Sequence, residues 1–486
     1  MKSLLPLSLL ATLFLCACAS FTKVGPLRGP EAGAHWRVPD GFKLAEPAAD
    51  RIPAEWWKIY HDEDLDRLEE QVVQHNQTLA QADAQYRLAA ATTASVQSSL
   101  YPTVTANFNG TRSQSPILTT TGLARPAASN LFNLNLQASW EPDLWGAVHA
   151  NILSAQASDQ AAFASRGAAL LSLQATLASD YFQLRVADAT LHLLDETVAA
   201  YQKSLDLTRM RDHSGVAARS DVTQATSQLE SARAAQSDQR LVRDTLEHAI
   251  AVLTGRSASD FGLAPRAWEA PDWPALPLGI PSALLERRPD IATAERQVAS
   301  ATAKLTAAEG AFYPVVTLST ELGFESRQLG NLVNLPKSFW SLGPSLTQYL
   351  FDGGNHTAVR DEALATIDQT TANYREVVLE AFQSVEDSVS GVLLLAEEES
   401  RQRANAKAAR ETLALVEEQY RSGVVGYLNV ISAQTVLLSA ETSVLGLQSR
   451  KAQAHVLLVK ALGGGWEGMA EASPDSRRRS PASPAQ

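Results

Sequence analysis

The sequence is poor in cysteine, the residue that builds disulfide frameworks and thiolate metal sites. The 486 residues include two cysteines, Cys16 and Cys18, and both lie close to the start of the chain. The rest of the chain can form no disulfide bond and offers no thiolate ligand. Disulfide scaffolds and thiolate-bound metals are therefore excluded as the basis of its fold.

Basic charge is scarce as well. The chain has 41 Lys and Arg residues against 53 Asp and Glu, a formal net charge of -12. A nucleic-acid-binding protein needs basic surface to displace counterions from phosphates, so we predict no nucleic-acid partner. The 45% apolar content is typical of a folded protein.

Catalytic signatures are also missing from the sequence. It contains no His-Glu-x-x-His, phosphate loop, Gly-x-Ser-x-Gly or Cys-x-x-Cys, and its nine histidines are scattered. A lone histidine such as His213 is more typical of an ordinary surface residue than of a metal ligand. We predict that the chain is not an enzyme and has no catalytic residue, metal site or cofactor.

The N-terminus has the pattern of a secretory signal. Lys2 precedes an apolar run, Leu4–Leu15, that is too short to span a bilayer permanently, so residues 1–17 are predicted to be a signal peptide. The stretch Leu15–Cys18 resembles a bacterial lipobox, with Cys18 as the lipidation site. Ala19, where an Asp would retain the protein at the inner membrane, implies sorting to the outer membrane. A plain signal peptide with incidental cysteines is the alternative.

The chain also repeats itself. The hairpin-like segments around Gly215 and Gly423 match at an offset of 208 (423 − 215), and Gly255 matches Gly463 at the same offset. Tyr101 and Tyr313 begin a second matching pair, at an offset of 212 (313 − 101). A common spacing over such distances indicates a tandem duplication.

Each copy begins with strands that have one apolar and one polar face. Apolar and amide-rich residues alternate from Pro102 to Asn109 and from Phe132 to Trp140, and again from Val316 to Glu325, with a weaker strand at Phe339–Leu350. A soluble antiparallel sheet shows the same alternation. Strand length, the polar face and Trp140 and Trp340 near strand ends favour a transmembrane barrel. Four strands cannot close a barrel, so the chain must oligomerise.

Long helices follow the strands in both copies. Leucine recurs every seven residues between Leu170 and Leu205, a spacing typical of coiled coils. The pattern predicts helices at 147–212 and 220–253 in the first copy, and at 355–421 and 428–462 in the second. We expect glycine to end one helix at each tip and Ser220 or Asp221 to cap the next.

Several motifs carry a resemblance to a known family. The segment Gly279–Ile291, followed by Ala294-Glu295, is similar to the signature at the repeat junction of the TolC-like outer-membrane factors. Supporting motifs are Trp140–Gly146, Leu350–Gly354 and Tyr420–Val430. The chain resembles the lipoprotein branch that serves tripartite efflux pumps, the NodT-like efflux lipoproteins, from Trp56 to Leu462.

The resemblance implies an α+β, mainly α protein. A homotrimer would form a 12-stranded transmembrane β-barrel, with four strands per chain, above a periplasmic α-barrel of antiparallel coiled-coil helices. It implies an outer-membrane location with lipid on Cys18. It also implies two protein partners: a periplasmic adaptor and an inner-membrane transporter, of the resistance-nodulation-division type. The function implied is export of drugs or metal ions through the lumen, without chemistry by this chain.

The resemblance also suggests site residues at the helical tips. The adaptor-facing set is Gly215, Val216, Ser220, Asp221, Gly423, Val424, Tyr427 and Leu428. The set for the periplasmic constriction is Tyr420, Asn429, Ser432 and Asp221. Relatives often have an acid at the positions of Asn429 and Ser432, so we expect weaker cation affinity there, testable by the selectivity of Asn429→Asp channels.

The domains follow from the duplication. We predict a lipid-anchored segment at 18–60, a first repeat at 61–255 with strand hairpin 102–141 and helical hairpin 146–254, and a linker at 256–281. The second repeat is 282–463, with hairpins 314–350 and 355–462, and 464–486 is a disordered tail. A type I protein secretion duct and a lipid-anchored coiled-coil structural protein remain alternative functions.

Overall fold

A computed structural model gives the structure of the chain for residues 27, 30, 52–114, 117–119, 122–124, 128–271, 273, 276 and 287–466. The predicted signal peptide, Cys18 and most of the junction signature lie outside these residues.

Helices make up most of the described chain. In chain order they are α1 (Glu63–His75), α2 (Gln77–Gln97), α3 (Ala147–His213), α4 (Arg219–Leu253), α5 (Pro289–Gly310), α6 (Asn355–Arg421) and α7 (Tyr427–Ala461). Both α3 and α6 have 67 residues, and both α4 and α7 have 35. At about 1.5 Å per residue the longer pair are about 100 Å long. Their equal lengths match the duplication, and the predicted bounds differ from the observed ones by at most one residue.

Helix α3 buries half of the predicted heptad leucine and valine positions and partly buries the others. Leu177 and Leu184 of α3 are fully buried, and Leu205 is 2% exposed. Small residues of α3 are buried as well, so that other helices can approach it closely: Ala164, Ala175, Ala178 and Ala187. Packing of this stripe stabilises a helix that residue propensity alone would not hold over 67 residues.

The turns at the helical tips are identical in both copies. Gly215 and Gly423 have φ of 71° and 77°, a left-handed conformation that suits glycine. The amide of Val216 donates to the carbonyl of Arg211 at 2.9 Å, and the amide of Val424 donates to that of Gln419 at 2.8 Å. This is the Schellman pattern of helix termination.

The predicted cap of the returning helix is wrong. Helix α4 begins at Arg219, so its N-cap is Ala218, which has no side chain able to cap. Ser220 and Asp221 instead lie in the first turn, where the carboxylate of Asp221 still interacts favourably with the helix dipole. Gly426 has the same position before α7.

The strands form one four-stranded antiparallel sheet and a small hairpin. The strands are β1 (Thr103–Ser113), β2 (Ile117–Thr119), β3 (Gly122–Ala124), β4 (Ser129–Trp140), β5 (Val315–Ser326) and β6 (Ser338–Thr347). The sheet has the order β1-β4-β5-β6, and β2 pairs with β3. The hairpin was not predicted, since three-residue strands are too short to show a period. Strand β6 ends at Thr347, three residues before the predicted end.

The strand register places apolar residues beside apolar residues and polar residues beside polar residues across the sheet. One row joins Ala106, Leu136, Leu322 and Trp340, and the next joins Thr105, Gln137, Glu321 and Ser341. The alternation read from single strands therefore continues across all four strands. One face is apolar and the other polar, as predicted.

The described contacts divide the chain into two compact units. The first includes Arg87–Ala161 and Ala294–Tyr374, which contain the sheet. The second consists of the described residues within 52–86, 162–293 and 375–466, which contain both tips.

An aromatic core holds the second unit together. Trp56, Trp57 and Tyr60 form a short 3-10 helix that is buried against the middle of α3 and the end of α7. Trp268 and Trp273 of the predicted linker pack on the same core. The described part of the predicted linker therefore packs on the core.

The start of the predicted disordered tail is also packed. A Cβ on Gly464 would lie 2.1 Å from Leu171 Cδ1, and one on Gly465 would lie 2.1 Å from the carbonyl oxygen of Pro53. The prediction of disorder was wrong for these residues, because glycine admits close backbone contact. The rest of the tail, from residue 467, lies outside the described residues.

Candidate functional site: the helical tips and the sheet

The tips expose apolar side chains to solvent. Val216 is 66% exposed, Val424 is 73% exposed and Leu428 is 64% exposed. Gly215 and Gly423 have open space where a Cβ would stand. Apolar groups held on a rigid turn are suited to contact a partner protein.

Tyr427, in contrast, is buried. Its side chain is 2% exposed, and its hydroxyl is 3.1 Å from the hydroxyl of Ser204 on α3. Its ring lies 5.5 Å from the ring of Tyr420, which is 6% exposed. Both tyrosines belong to an apolar cluster with Tyr201, Leu205 and Leu229 of the first copy. Tyr427 packs one hairpin against the other, and we remove it from the adaptor-facing set.

Burial changes the acidity of these phenols. Desolvation raises the pKa of Tyr427, the hydrogen bond between Tyr427 and Ser204 lowers it in part, and the nearby Tyr420 and Asp221 raise it further. Desolvation likewise raises the pKa of Tyr201. Both phenols therefore stay neutral through the physiological pH range.

Arg211 joins the two hairpins. Its guanidinium carbon lies 4.4 Å from the centre of the Tyr420 ring, and its Nη1 donates to the Tyr420 carbonyl at 2.8 Å. The Tyr420 hydroxyl is buried without a hydrogen-bond partner in the described part of the chain. Comparison of the two copies did not predict a role for Arg211, because the matching residue of the second copy is Gln419 and the two are not alike. This difference between the copies is the only signal in the sequence that sets Arg211 apart.

The other predicted constriction residues are more exposed than Tyr420. Asn429 and Ser432 are exposed, and Asp221 is half-buried. The side-chain amide of Asn429 donates to the carbonyl of Gly426 at 3.4 Å. The predicted constriction set thus consists of one buried packing residue and three residues that reach solvent.

The apolar face of the sheet is exposed in the single chain. Val104, Leu136, Leu322 and Trp340 have between 46% and 80% of their surface exposed. From Phe132 to Trp140 this face runs for about 26 Å, at about 3.3 Å per residue step. With the usual strand tilt of a membrane barrel, this stretch gives an apolar band about 20 Å tall, close to the height of the apolar band of such barrels.

Both edges of the sheet are unpaired in this chain. Strand β1 pairs with β4 on one side, strand β6 pairs with β5 on one side, and neither pairs with another described strand. Exposed strand edges leave backbone N–H and C=O groups without partners, which costs several kcal/mol per group in lipid.

Each strand-to-helix junction has an aspartate cap. The Asp143 carboxylate accepts from the amides of Val148 and His149 at 3.0 and 2.8 Å. Asp352 accepts from Gly354 and His356 at 2.9 and 2.8 Å, and also contacts the His356 ring. These hydrogen bonds from His356 and Gly354 lower the pKa of Asp352 to about 2. The matched junction motifs are thus helix caps.

The described residues contain no candidate metal site, and one of their helices passes the test of length and composition for a membrane span. Within the described ranges, no three His, Cys, Asp or Glu side chains group as metal ligands would. Helix α7 is long and apolar enough to cross a membrane by length and composition, with a mean hydropathy of 1.4 in its most apolar window.

Comparisons with known proteins agree with this geometry. The family model for outer membrane efflux proteins matches residues 68–256 and 280–464, which correspond to the two copies. The chain is 30% identical over 478 residues to the antibiotic efflux pump outer membrane protein ArpC of Pseudomonas putida, covering 96% of each chain. It is 30% identical over 469 residues to the pyoverdine export outer membrane protein OpmQ of Pseudomonas aeruginosa, covering 94% of this chain and 96% of OpmQ. Among solved structures, the outer-membrane channel OprN has a TM-score of 0.84 at 29% identity, with 91% of this chain and 99% of OprN covered.

Proposed function

The chain belongs to the outer membrane efflux protein family and is an outer-membrane efflux channel component, and we propose that three copies form the exit duct of a tripartite pump for small molecules. The family consists of channel proteins. The duct would join the periplasm to the exterior.

The single observation that carries the proposal is the sheet. It has one apolar face, one polar face and two open edges. Closing it with copies of itself satisfies the edge backbone groups and turns the apolar face to lipid. Four strands per chain make three copies a 12-stranded barrel, wide enough for a water-filled lumen.

The cargo class is proposed from the relatives. ArpC is named for antibiotic efflux and OpmQ for pyoverdine export. The chain matches both along nearly its whole length, which supports a small-molecule cargo, whether a drug or a metal ion or its complex.

The exposed apolar tips support an adaptor partner. Val216, Val424 and Leu428 would contact a periplasmic adaptor protein, which in turn meets an inner-membrane transporter of the resistance-nodulation-division type. The transporter supplies the energy, since nothing in the described chain binds a nucleotide or a redox group by motif. Ser220 and Asp221 flank the first tip and would form its polar rim.

A lipid on Cys18 would tether the N-terminus to the outer membrane. The lipobox-like stretch Leu15–Cys18 supports this, although it lies outside the described residues. Replacing Cys18 by Ser should abolish incorporation of labelled palmitate; undiminished incorporation would rule out this anchor.

Three measurements test the channel. Purified protein should migrate as a heat-sensitive trimer on gels and should conduct ions in a planar bilayer. Deleting the gene in its host should raise intracellular retention of exported dyes. A purely monomeric, non-conducting product would refute the proposal.

A further inference from the structure

The charged residues of the strands are segregated by face. The described strands contain three charged residues: Arg112 in β1, and Glu321 and Glu325 in β5. Glu321 lies in the row with Thr105, Gln137 and Ser341, whereas Arg112 pairs with Asn130 on the opposite face. Glu325 pairs with Asn133 on the same face as Glu321. The polar face of the sheet thus bears negative charge only.

Neither carboxylate is neutralised within the sheet. In the described part of the chain, Glu321 and Glu325 make no ion pair, and Glu321 accepts a hydrogen bond from the side-chain amide of Asn135. The amide oxygens of Asn133 and Asn135 are buried and have no hydrogen-bond partner among the described residues. This part of the polar face is therefore rich in acceptors and poor in positive charge.

The charges must face the lumen in a membrane barrel. A charged side chain on the lipid face near the bilayer centre is strongly destabilising, and the apolar row of Leu136 and Leu322 lies on the other face of the same strands. Arg112 is on the lipid side but lies next to the last residue of β1, where a charge can reach the interface.

On the basis of the proposed trimeric channel, we propose that Glu321 and Glu325 set the charge selectivity of the barrel, so that cations and neutral molecules pass more readily than anions. Two carboxylates per chain give six around a closed trimer. Rings of carboxylates select for cations because the protein wall focuses their field into the lumen. The second-copy tip presents Asn429 and Ser432, which carry no charge, and Asp221 of the first copy leaves one carboxylate per chain at the tips against two in the barrel.

The reversal potential of the full-length trimer in a potassium chloride gradient tests this proposal. We expect Glu321→Gln/Glu325→Gln to lower the permeability ratio of potassium to chloride by roughly threefold in 0.1 M salt. The effect should be smaller in 1 M salt, because the Debye length falls from about 10 Å to about 3 Å. Glu321→Asp/Glu325→Asp keeps the charge and should keep the ratio. Arg112→Gln, on the lipid side, should also leave it unchanged.

The outcomes separate the two proposals. If the native chain forms no conducting trimer, the proposed function fails. If the native channel conducts and the Gln double variant conducts with an unchanged ratio, the assignment of selectivity to Glu321 and Glu325 is overturned. If the Gln double variant fails to insert into the bilayer, Thr105→Glu tests the assignment instead. This change adds a negative charge to the row of Glu321 and should raise the permeability ratio of potassium to chloride. An unchanged ratio would refute the assignment.

Discussion

The guanidinium of Arg288 donates to the carbonyl of Ala461, the last residue of α7, at 3.1 Å. In the first copy, the side-chain amide of Asn76 donates to the carbonyl of Leu253, the last residue of α4, at 2.8 Å. The pairs match at the two offsets of the duplication, 212 (288 − 76) and 208 (461 − 253). Arg288 also pairs with Asp290. The arginine of the junction signature therefore caps the end of the second hairpin.

Replacing Arg288 by Ala should lower the free energy of unfolding by about 2 kcal/mol, as expected for a mostly buried charged donor. Asn76→Ala, which removes the neutral counterpart, should cost about 1 kcal/mol. Urea unfolding of the detergent-solubilised protein, followed by tryptophan fluorescence, measures both. Equal effects would show that the charge of Arg288 adds nothing.

Replacing Arg211 by Gln should loosen the contact between the two tips. The change removes the cation–π contact and the charged hydrogen bond to Tyr420, together worth about 2 kcal/mol. We expect larger or more frequent openings in single-channel records. Arg209→Gln is the matched control, because Arg209 lies on the same helix with an exposed side chain paired to Asp206. Similar records for both variants would contradict a special role of Arg211.

Glu69 should make the stability of the second unit depend on pH. Its side chain is fully buried, and its carboxylate oxygens have no hydrogen-bond partner among the described residues. Desolvation, with Asp66 nearby, raises the pKa of Glu69 well above its ordinary value. The folded state thus holds a proton that the unfolded state releases. Stability is therefore greatest below the unfolded pKa and falls as the pH rises toward the folded pKa.

Glu69→Gln should abolish that decline and raise stability at pH 8 by about 1–3 kcal/mol relative to the native chain. Melting temperatures between pH 4 and pH 9 give the measurement. Glu70→Gln changes the exposed neighbour and should preserve the native slope. If the melting temperature of the Glu69→Gln variant still falls with pH as in the native chain, another group is responsible.

Gly323→Ala should impair assembly of the barrel. An added Cβ would lie 2.4 Å from the carbonyl oxygen of Leu134 and 2.8 Å from the Cα of Asn135, across the β4–β5 ladder. A Cβ added to Gly343, on the neighbouring strand β6, would meet no atom within 4 Å. Gly343→Ala is therefore the control. We expect a severalfold loss of heat-modifiable trimer on gels for the first variant alone. Equal yields would argue against the close strand approach.

The two tips should dock the adaptor in different ways. The first tip continues as Ala218-Arg219-Ser220 and the second as Gly426-Tyr427-Leu428. Val216→Asp and Val424→Asp each place a charge on an exposed apolar position. Site-specific crosslinking to the adaptor should fall selectively at the altered tip. Equal losses at both tips from either change would indicate equivalent docking sites.

The sequence by itself determined the periodic features. Local rules govern the alternation in the strands, the heptads of the long helices and the glycine turns, since each depends on residues close together in the chain. For that reason Asn355–Arg421 matched its prediction at both ends. The offsets 208 and 212 also came from sequence alone, because copies of one segment fold alike.

Tertiary packing decided what local rules could not. Tyr427 lies at a tip in the sequence. In the folded chain its ring is buried, because it packs against α3, where Ser204 contacts its hydroxyl. Arg211 and Arg288 act on carbonyls 209 and 173 residues away. The glycines at 464 and 465 pack against Leu171 and Pro53. Burial and pairing depend on groups distant in the chain, and only the folded chain brings those groups together.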